Sequence, residues 1–279
     1  MKDKKTMPNF LVIGVKKAGT TWLYNLLKSH RCIYVPKFRK EVHFFDWNYS
    51  KGVGWYQSFF PKKRLKECTK AIGEATPGYI FDNRARERIQ KHMPNDKFII
   101  TLRNPVDRLV SAYTYYRQRG GKNTFITFSR RNDKPYKMGL YSAQLREWFK
   151  DFNREQFLIL IFEECISDPD TTKKRIAKFL EVDVNDFAID KKKKRNPTFK
   201  VQNKWLYLIF VRFAALLRKV RLDYFIYIFK QTGILEFFKD DSASVESIST
   251  EKRSELKMDY IQSINELEMM LNRDLSIWK

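Results

Sequence analysis

Asn9-Phe-Leu-Val-Ile-Gly-Val-Lys-Lys-Ala-Gly-Thr-Thr-Trp22 is the stretch that decides the fold. Phe10 to Val15 is an apolar, β-branched run, the pattern of a strand buried in a parallel sheet. Gly14-Val-Lys-Lys-Ala-Gly19 follows as a small-residue loop, and Thr20 to Lys28 opens a helix with apolar residues at helical spacing. Strand, glycine-bearing loop and helix N-terminus together aim unpaired N–H groups and the helix dipole at one spot, a cradle for an anion. Gly14 and Gly19 have the spacing of the phosphate loop G-x-x-x-x-G-K-[ST], yet Thr20 stands where that loop needs lysine. The lysines lie inside the loop instead, at 16 and 17. The stretch therefore predicts a phosphate site that is not built for ATP hydrolysis.

Outward from this unit, apolar runs recur at Cys32–Pro36, Lys70–Thr76, Lys97–Leu102 and Phe157–Phe162. Helical patterns separate them over Ile80–His92, Val106–Arg119 and Met138–Phe152, and a further helix capped at Asp168 runs to Leu180. This alternation predicts an α/β fold, a doubly wound parallel sheet flanked by helices. Trp55, Phe59 and Phe60 are expected on the core face of a short helix, and Phe125–Lys137 as a polar surface loop. Thr250–Leu271 carries Leu256, Ile261, Ile264, Leu267 and Leu271 and predicts a docked amphipathic C-terminal helix. Asp190–Arg195 is a basic run expected in an exposed loop. Trp205–Leu217 is apolar apart from Arg212 and is followed by Arg218, Lys219 and Arg221. It is shorter than the roughly 20 residues of a membrane span, so it is either a core helix or a basic amphipathic helix on an anionic membrane.

Lys and Arg number 55 against 32 Asp and Glu, a formal charge of +23. Such an excess calls for an anionic partner: nucleic acid, a membrane surface, a sulfated or phosphorylated glycan, or a nucleotide. The competing reading is a lysine-rich surface that reflects only the base composition of the gene. Nucleic acid is disfavoured because no groove-reading or base-stacking motif accompanies the charge. A hydrophobic fraction of 43% with 15% aromatic residues excludes global disorder. Cys32, Cys68 and Cys165 are odd in number and far apart, which predicts reduced thiols in a cytosol rather than a disulfide framework or a zinc site. Met1–Thr6 contains no apolar segment, so neither signal peptide nor N-terminal anchor is expected. A cytoplasmic protein, able to touch the inner membrane face peripherally, is the corresponding expectation.

Two further constellations carry chemistry. Arg103 leaves the carboxyl end of a strand, where ligands of open α/β sheets bind, and Ser111 lies about two turns into the next helix on the face looking back at it. A guanidinium with a hydroxyl makes a phosphate clamp, although an arginine at a sheet edge and a packed serine would look the same. In an extended Glu41-Val-His43, the two polar groups share a side and Val42 and Phe44 the other. That pair suits a general base for a hydroxyl nucleophile, or else an exposed acid beside a histidine bonded to backbone.

Two phosphate sites on one sheet, with a proton acceptor between them, suggest a nucleotide with phosphates at both ends. The chain resembles the sulfotransferases that use 3′-phosphoadenosine 5′-phosphosulfate (PAPS), particularly the glycan-modifying type related to heparan sulfate sulfotransferases and its bacterial members. Val15–Thr21 resembles that family's 5′-phosphosulfate loop and Leu102–Tyr113 its 3′-phosphate motif. Glu41–Asp46, with Gly52–Tyr56 behind it, resembles the segment holding the catalytic glutamate. The similarity continues through Gly73–Tyr79 to Leu267–Trp278, so one sulfotransferase domain over 1–279 is implied, with 205–240 as a hydrophobic, basic insert. The resemblance implies that Lys16, Lys17, Ala18, Gly19, Thr20, Thr21 and Trp22 hold the 5′ end of PAPS, with Lys17 neutralising the leaving phosphate. It implies Arg103 and Ser111 on the 3′-phosphate, Glu41 as the base, and His43 as the residue that orients Glu41 or the acceptor, or as the base itself; the basic stretch Lys191–Lys204 adds Lys200 as a further candidate ligand for the nucleotide. The acceptor implied is a carbohydrate hydroxyl, free or on a lipid-linked glycan, and no metal is required. Two departures stand out: Ala75 replaces a lysine of the heparan-type motif, and no cysteine follows Cys165 where those enzymes carry a disulfide-bearing loop. The alternatives are a P-loop kinase or NTPase and a basic nucleic-acid- or membrane-binding module.

Overall fold

A computed structural model describes residues 6–188, 200–201, 239–240 and 248–279, together with 213, 216, 217, 222, 224, 225 and 228. The basic run 190–195 and most of the 205–240 insert therefore lie outside the described residues. Among the described residues the main sheet has five parallel strands, β1 (Phe10–Gly14), β2 (Ile33–Tyr34), β3 (Ala71–Ala75), β4 (Lys97–Leu102) and β5 (Phe157–Ile161), in the order β2-β3-β1-β4-β5, and a separate antiparallel pair joins β6 (Lys200–Val201) to β7 (Lys239–Asp240). The helices are α1 (Thr20–Ser29), α2 (Val53–Gln57), α3 (Asn83–His92), α4 (Pro105–Gln118), α5 (Phe125–Phe128), α6 (Lys134–Lys137), α7 (Tyr141–Asp151), α8 (Phe162–Ser167), α9 (Pro169–Leu180) and the C-terminal helix Thr250–Leu271. Among the described residues, no helix is long and apolar enough to cross a membrane.

Central β1 is buried throughout, and its alternation feeds two cores. Leu11 and Ile13 join Phe98, Ile100 and Leu102 under α3, α4, α7 and the C-terminal helix. Phe10 and Val12 join Ile99, Leu158 and Leu160 under α1, α8 and α9. Helices thus cover both faces, which is the doubly wound arrangement that continuous apolar strands require. Because β1 lies between β3 and β4, the loop after β1 and the turn after β4 open side by side at the carboxyl edge, where such sheets bind ligands. Asn104 caps α4 by accepting from the N–H groups of Val106 and Asp107, and Pro105 fills the first helical position.

Several segments depart from the sequence expectations. The helix expected from Ile80 starts at Asn83, because the Asp82 side chain accepts from Ala85 N–H and fixes the start there. The segment 125–137 forms α5 and α6 rather than a surface loop; Phe125 and Tyr136 are buried, and Tyr136 stacks on Tyr260 at 4.6 Å. The buried stripe of the C-terminal helix is Leu256, Tyr260, Ile264 and Leu267, with Ile261 and Leu271 at its half-buried margins. Behind β3, Tyr56 and Phe60 are fully buried and Trp55 only partly.

Cys32 and Cys68 are joined in a disulfide, which corrects the expectation of three reduced thiols; Cys165 is free and buried. Their sequence separation of 36 hid the pair. Parallel pairing of β2 and β3 sets Ile33 opposite Ala71 and so brings the chain just before each strand together.

Candidate active site

The loop after β1 is held to β4 by Val15 N–H, which donates to Thr101 O at 2.9 Å. It then turns through the left-handed region twice, at Lys17 (φ 73) and Gly19 (φ 76). A Cβ at Gly19 would stand 2.2 Å from the Phe162 ring, so both conformation and space call for glycine. Such turns converge successive N–H groups on a concavity that suits an anion, and Gly19, as N-cap of α1, offers no side chain to compete for the helix's first donors.

Positive charge gathers around this concavity. The Lys17 ammonium lies 3.5 Å from the centre of the Tyr115 ring, and the Arg119 guanidinium lies 4.4 Å from the same ring. The Arg103 guanidinium donates to Lys17 O at 3.4 Å and rests over Phe162, while its own carbonyl accepts from Tyr141 Oη at 2.7 Å. Lys40 Nζ donates to the hydroxyls of Thr20 (3.2 Å) and Thr21 (3.0 Å). Lys16 reaches toward Gly78, where an added Cβ would be 3.1 Å from its Cε and 3.8 Å from Asp46 Oδ2. Burial, then the charges of Arg119, Lys40 and Arg103 against the opposing Glu41, bring the Lys17 ammonium down to about 8. An ammonium depressed in this way is relieved by an incoming anion.

Beside the cations stands a proton-handling group. His43 bridges two carboxylates, with Nε2 at 3.2 Å from Glu41 Oε2 and Nδ1 at 2.7 Å from Asp46 Oδ2. Trp47 stacks on the imidazole, 3.8 Å between ring centres and 7° from parallel. Burial pushes the Glu41 carboxyl up, but His43 and Lys40 outweigh it and hold the group at about 2. Burial pulls His43 down, and Asp46 and Glu41 more than reverse this, to about 9. At neutral pH Glu41 is a carboxylate and His43 an imidazolium. The segment is not extended as expected: His43 has φ 55, and the Glu41–His43 meeting depends on that bend, with Val42 and Phe44 buried beneath.

Most of the anticipated residues thus come together around one concavity. Trp22 instead packs its half-buried side chain against the α1-side core. Ser111 is half-buried on α4, and the backbone of Lys200, in the two-residue strand β6 (Lys200–Val201), runs beside that helix. The Lys200 side chain lies outside what is described. Sequence reading missed Lys40, Asp46, Tyr115 and Arg119. The signal was present for two of these, since Ser111 and Tyr115, four residues apart, share a face of α4 and Arg119, four further on, caps its end. Among the described residues, no group of three or more His, Cys, Asp or Glu side chains is placed to hold a metal ion.

The sulfotransferase domain family matches residues 7–205. The chain belongs to that family. Heparan sulfate glucosamine 3-O-sulfotransferase 3A1 of Homo sapiens is 33% identical over 192 residues, which are 64% of this chain and 45% of that protein. Heparan sulfate glucosamine 3-O-sulfotransferase 5 of Mus musculus is 31% identical over 192 residues, 63% of this chain and 54% of that protein. The chain spans about half the length of the curated relatives it matches. A sulfotransferase from Alicyclobacillus acidocaldarius superposes with a TM-score of 0.68 at 24% identity, covering 98% of this chain and 99% of that one. The parallel sheet described above is therefore the fold of this family.

Proposed function

We propose that this sulfotransferase-family chain moves a sulfuryl group from PAPS to a carbohydrate hydroxyl. The observation that carries this reading is the gathering of Lys17, Lys40, Arg103 and Arg119 at the loop after β1, directly beside the ion-paired Glu41 and His43. The cation-rich concavity fits a doubly phosphorylated donor. Lys16, Lys17, the hydroxyls of Thr20 and Thr21 and the N–H groups from Ala18 onward would hold its 5′-phosphosulfate, and Arg103 with Ser111 its 3′-phosphate. ATP has no 3′-phosphate and would leave Arg103 unused.

In the transfer, the acceptor oxygen forms a bond to sulfur while the S–O bond to the 5′-phosphate breaks, and the bonding pair stays on phosphate. Lys17 and the loop N–H groups neutralise that charge, so catalysis is positioning and electrostatics. Glu41 takes the acceptor's proton. A carboxylate held at about 2 is a weak base at rest, so proton transfer follows S–O bond formation, once the acceptor oxygen has become strongly acidic. His43, already protonated at neutral pH, orients Glu41 rather than acting as base. Incubation with radiolabelled PAPS and a panel of desulfated glycosaminoglycans tests the reading. Label should reach glycan with the native protein and not with Glu41→Gln, while PAP, the desulfated product, still binds both. Transfer that survives Glu41→Gln would remove Glu41 as base, and failure with every glycan would move the acceptor outside that class.

One observation favours an acceptor carried on a lipid. Phe213, Leu216, Leu222, Tyr224 and Phe225 are exposed, and Tyr224 meets the Phe38 ring at 5.3 Å, two residues before Lys40. Apolar exposure interspersed in sequence with Arg218, Lys219 and Arg221 suits an anionic membrane that presents a lipid-linked glycan. Liposome co-sedimentation with and without residues 205–238 decides this point; equal binding by both forms removes it.

A further inference from the structure

Glu74, the fourth residue of β3, has none of its surface exposed. Its Oε1 accepts from the hydroxyls of Tyr56 (3.0 Å) and Tyr79 (2.8 Å), and its Oε2 from Val42 N–H (3.1 Å) and the Thr76 hydroxyl (2.7 Å). Two of these hydroxyls accept in turn. Thr76 Oγ1 takes His43 N–H at 3.4 Å, and Tyr79 Oη takes Phe44 N–H at 2.9 Å and Phe45 N–H at 3.3 Å. Four successive backbone donors, from Val42 to Phe45, therefore end on one buried carboxylate, directly or through a single hydroxyl.

This matters because the segment bends at His43 (φ 55) and cannot satisfy its donors by pairing with the sheet. Four buried N–H groups in a row need acceptors, and a hydroxyl that donates to a carboxylate is polarised into a stronger one. An apolar residue at 74 would free the bend to relax, and the bend sets the Glu41–His43 approach. We propose that Glu74 is a positioning residue for proton transfer, holding the backbone of 42–45 so that His43 meets Glu41. This rests on Glu41 being the base.

Tyr56 supplies an internal control. It donates to Glu74 like Tyr79, and its ring stacks on Phe44 at 4.5 Å, but its hydroxyl accepts no N–H of the segment among the described contacts. Tyr56→Phe keeps that ring. Steady-state transfer from PAPS, melting temperature and PAP binding are measured for Tyr56→Phe, Tyr79→Phe, Glu74→Gln and Glu41→Gln. Tyr79→Phe and Glu74→Gln should lower kcat by about ten- to a hundredfold, the scale of a small misplacement of a reacting group, with PAP affinity unchanged. Tyr56→Phe should lower the melting temperature yet keep about the native kcat. Equal kcat losses in the two tyrosine variants would show a merely structural hub and overturn the proposal. So would native kcat in Tyr79→Phe when Glu41→Gln is inactive. Native kcat in Glu41→Gln would instead overturn the base assignment, and with it the purpose given to Glu74.

Discussion

Binding of PAP above pH 8 should draw a proton from solution onto Lys17. In the free protein this ammonium is held at about 8, by burial first and then by Arg119, Lys40 and Arg103. A phosphate beside it favours the charged form, so the bound pKa exceeds the free one. Below about 8 Lys17 is charged in both states and affinity is at its full value. Above it, the free protein has lost the proton and binding must restore it, so affinity falls about tenfold per pH unit until the bound pKa is reached. If binding restores the ordinary value of 10.5, the whole loss is on the order of 10²-fold. The free protein shows the opposite sign: a lowered lysine pKa penalises the folded state below about 8, and that penalty lifts as pH rises from 8 toward 10.5. Isothermal titration calorimetry at about pH 9, in two buffers of different ionisation heat, counts the protons taken up. Uptake should approach one in the native protein and fall sharply in Lys17→Arg, whose guanidinium stays charged. No buffer dependence, or the same uptake in Lys17→Arg, would refute the electrostatic picture of the loop.

Gly19→Ala should cost about 2–4 kcal/mol, from a Cβ in the left-handed region and its collision with Phe162, and should abolish PAP binding; urea melts and calorimetry check both. His43 adds stability that is full below its unfolded value of 6.5 and is lost as pH rises through about 9. Glu41 adds stability that is full above 4.5 and lost as pH falls through about 2, so their joint contribution peaks between 4.5 and 6.5. Urea melts of the native protein should lose about 1–3 kcal/mol between pH 6.5 and 9, and His43→Gln should flatten that limb. Replacing Cys32 and Cys68 by serine opens a loop of 36 residues and should cost about 3–4 kcal/mol, with kcat unchanged because the bridge lies before β2 and β3, away from the carboxyl edge.

What could be read from the chain alone was local. β1, its loop and α1 are consecutive, so their spacing states their geometry, and the stretch from Arg103 to Ser111 is likewise a strand end running into a helix. Glu41 and His43 do meet, but through a left-handed bend that no alternation rule anticipates. Glu74 read as one residue of a strand, because its four donors come from Val42, Tyr56, Thr76 and Tyr79, and only the fold unites them. The disulfide was hidden for the same reason, since strand order brings residues 36 apart into contact. The polar segment 125–137 concealed Phe125 and Tyr136, which bury against Tyr113 of α4 and Tyr260 of the C-terminal helix respectively. Nothing local sets Lys40 apart from the other lysines of the chain; its contacts with Thr20 and Thr21, 20 and 19 residues away, put it at the loop.

Thermal stabilisation by PAP against ADP at matched concentrations tests the central claim most directly. A tight 3′-phosphoadenosine site should raise the melting temperature with PAP as RT ln(1 + [L]/Kd), about 2.7 kcal/mol at a hundredfold excess over Kd. ADP lacks the 3′-phosphate that Arg103 would take and should shift it little, while Arg103→Ala should bring PAP down to the level of ADP. Equal stabilisation by ADP, or none by PAP, would contradict a PAPS-dependent sulfotransferase.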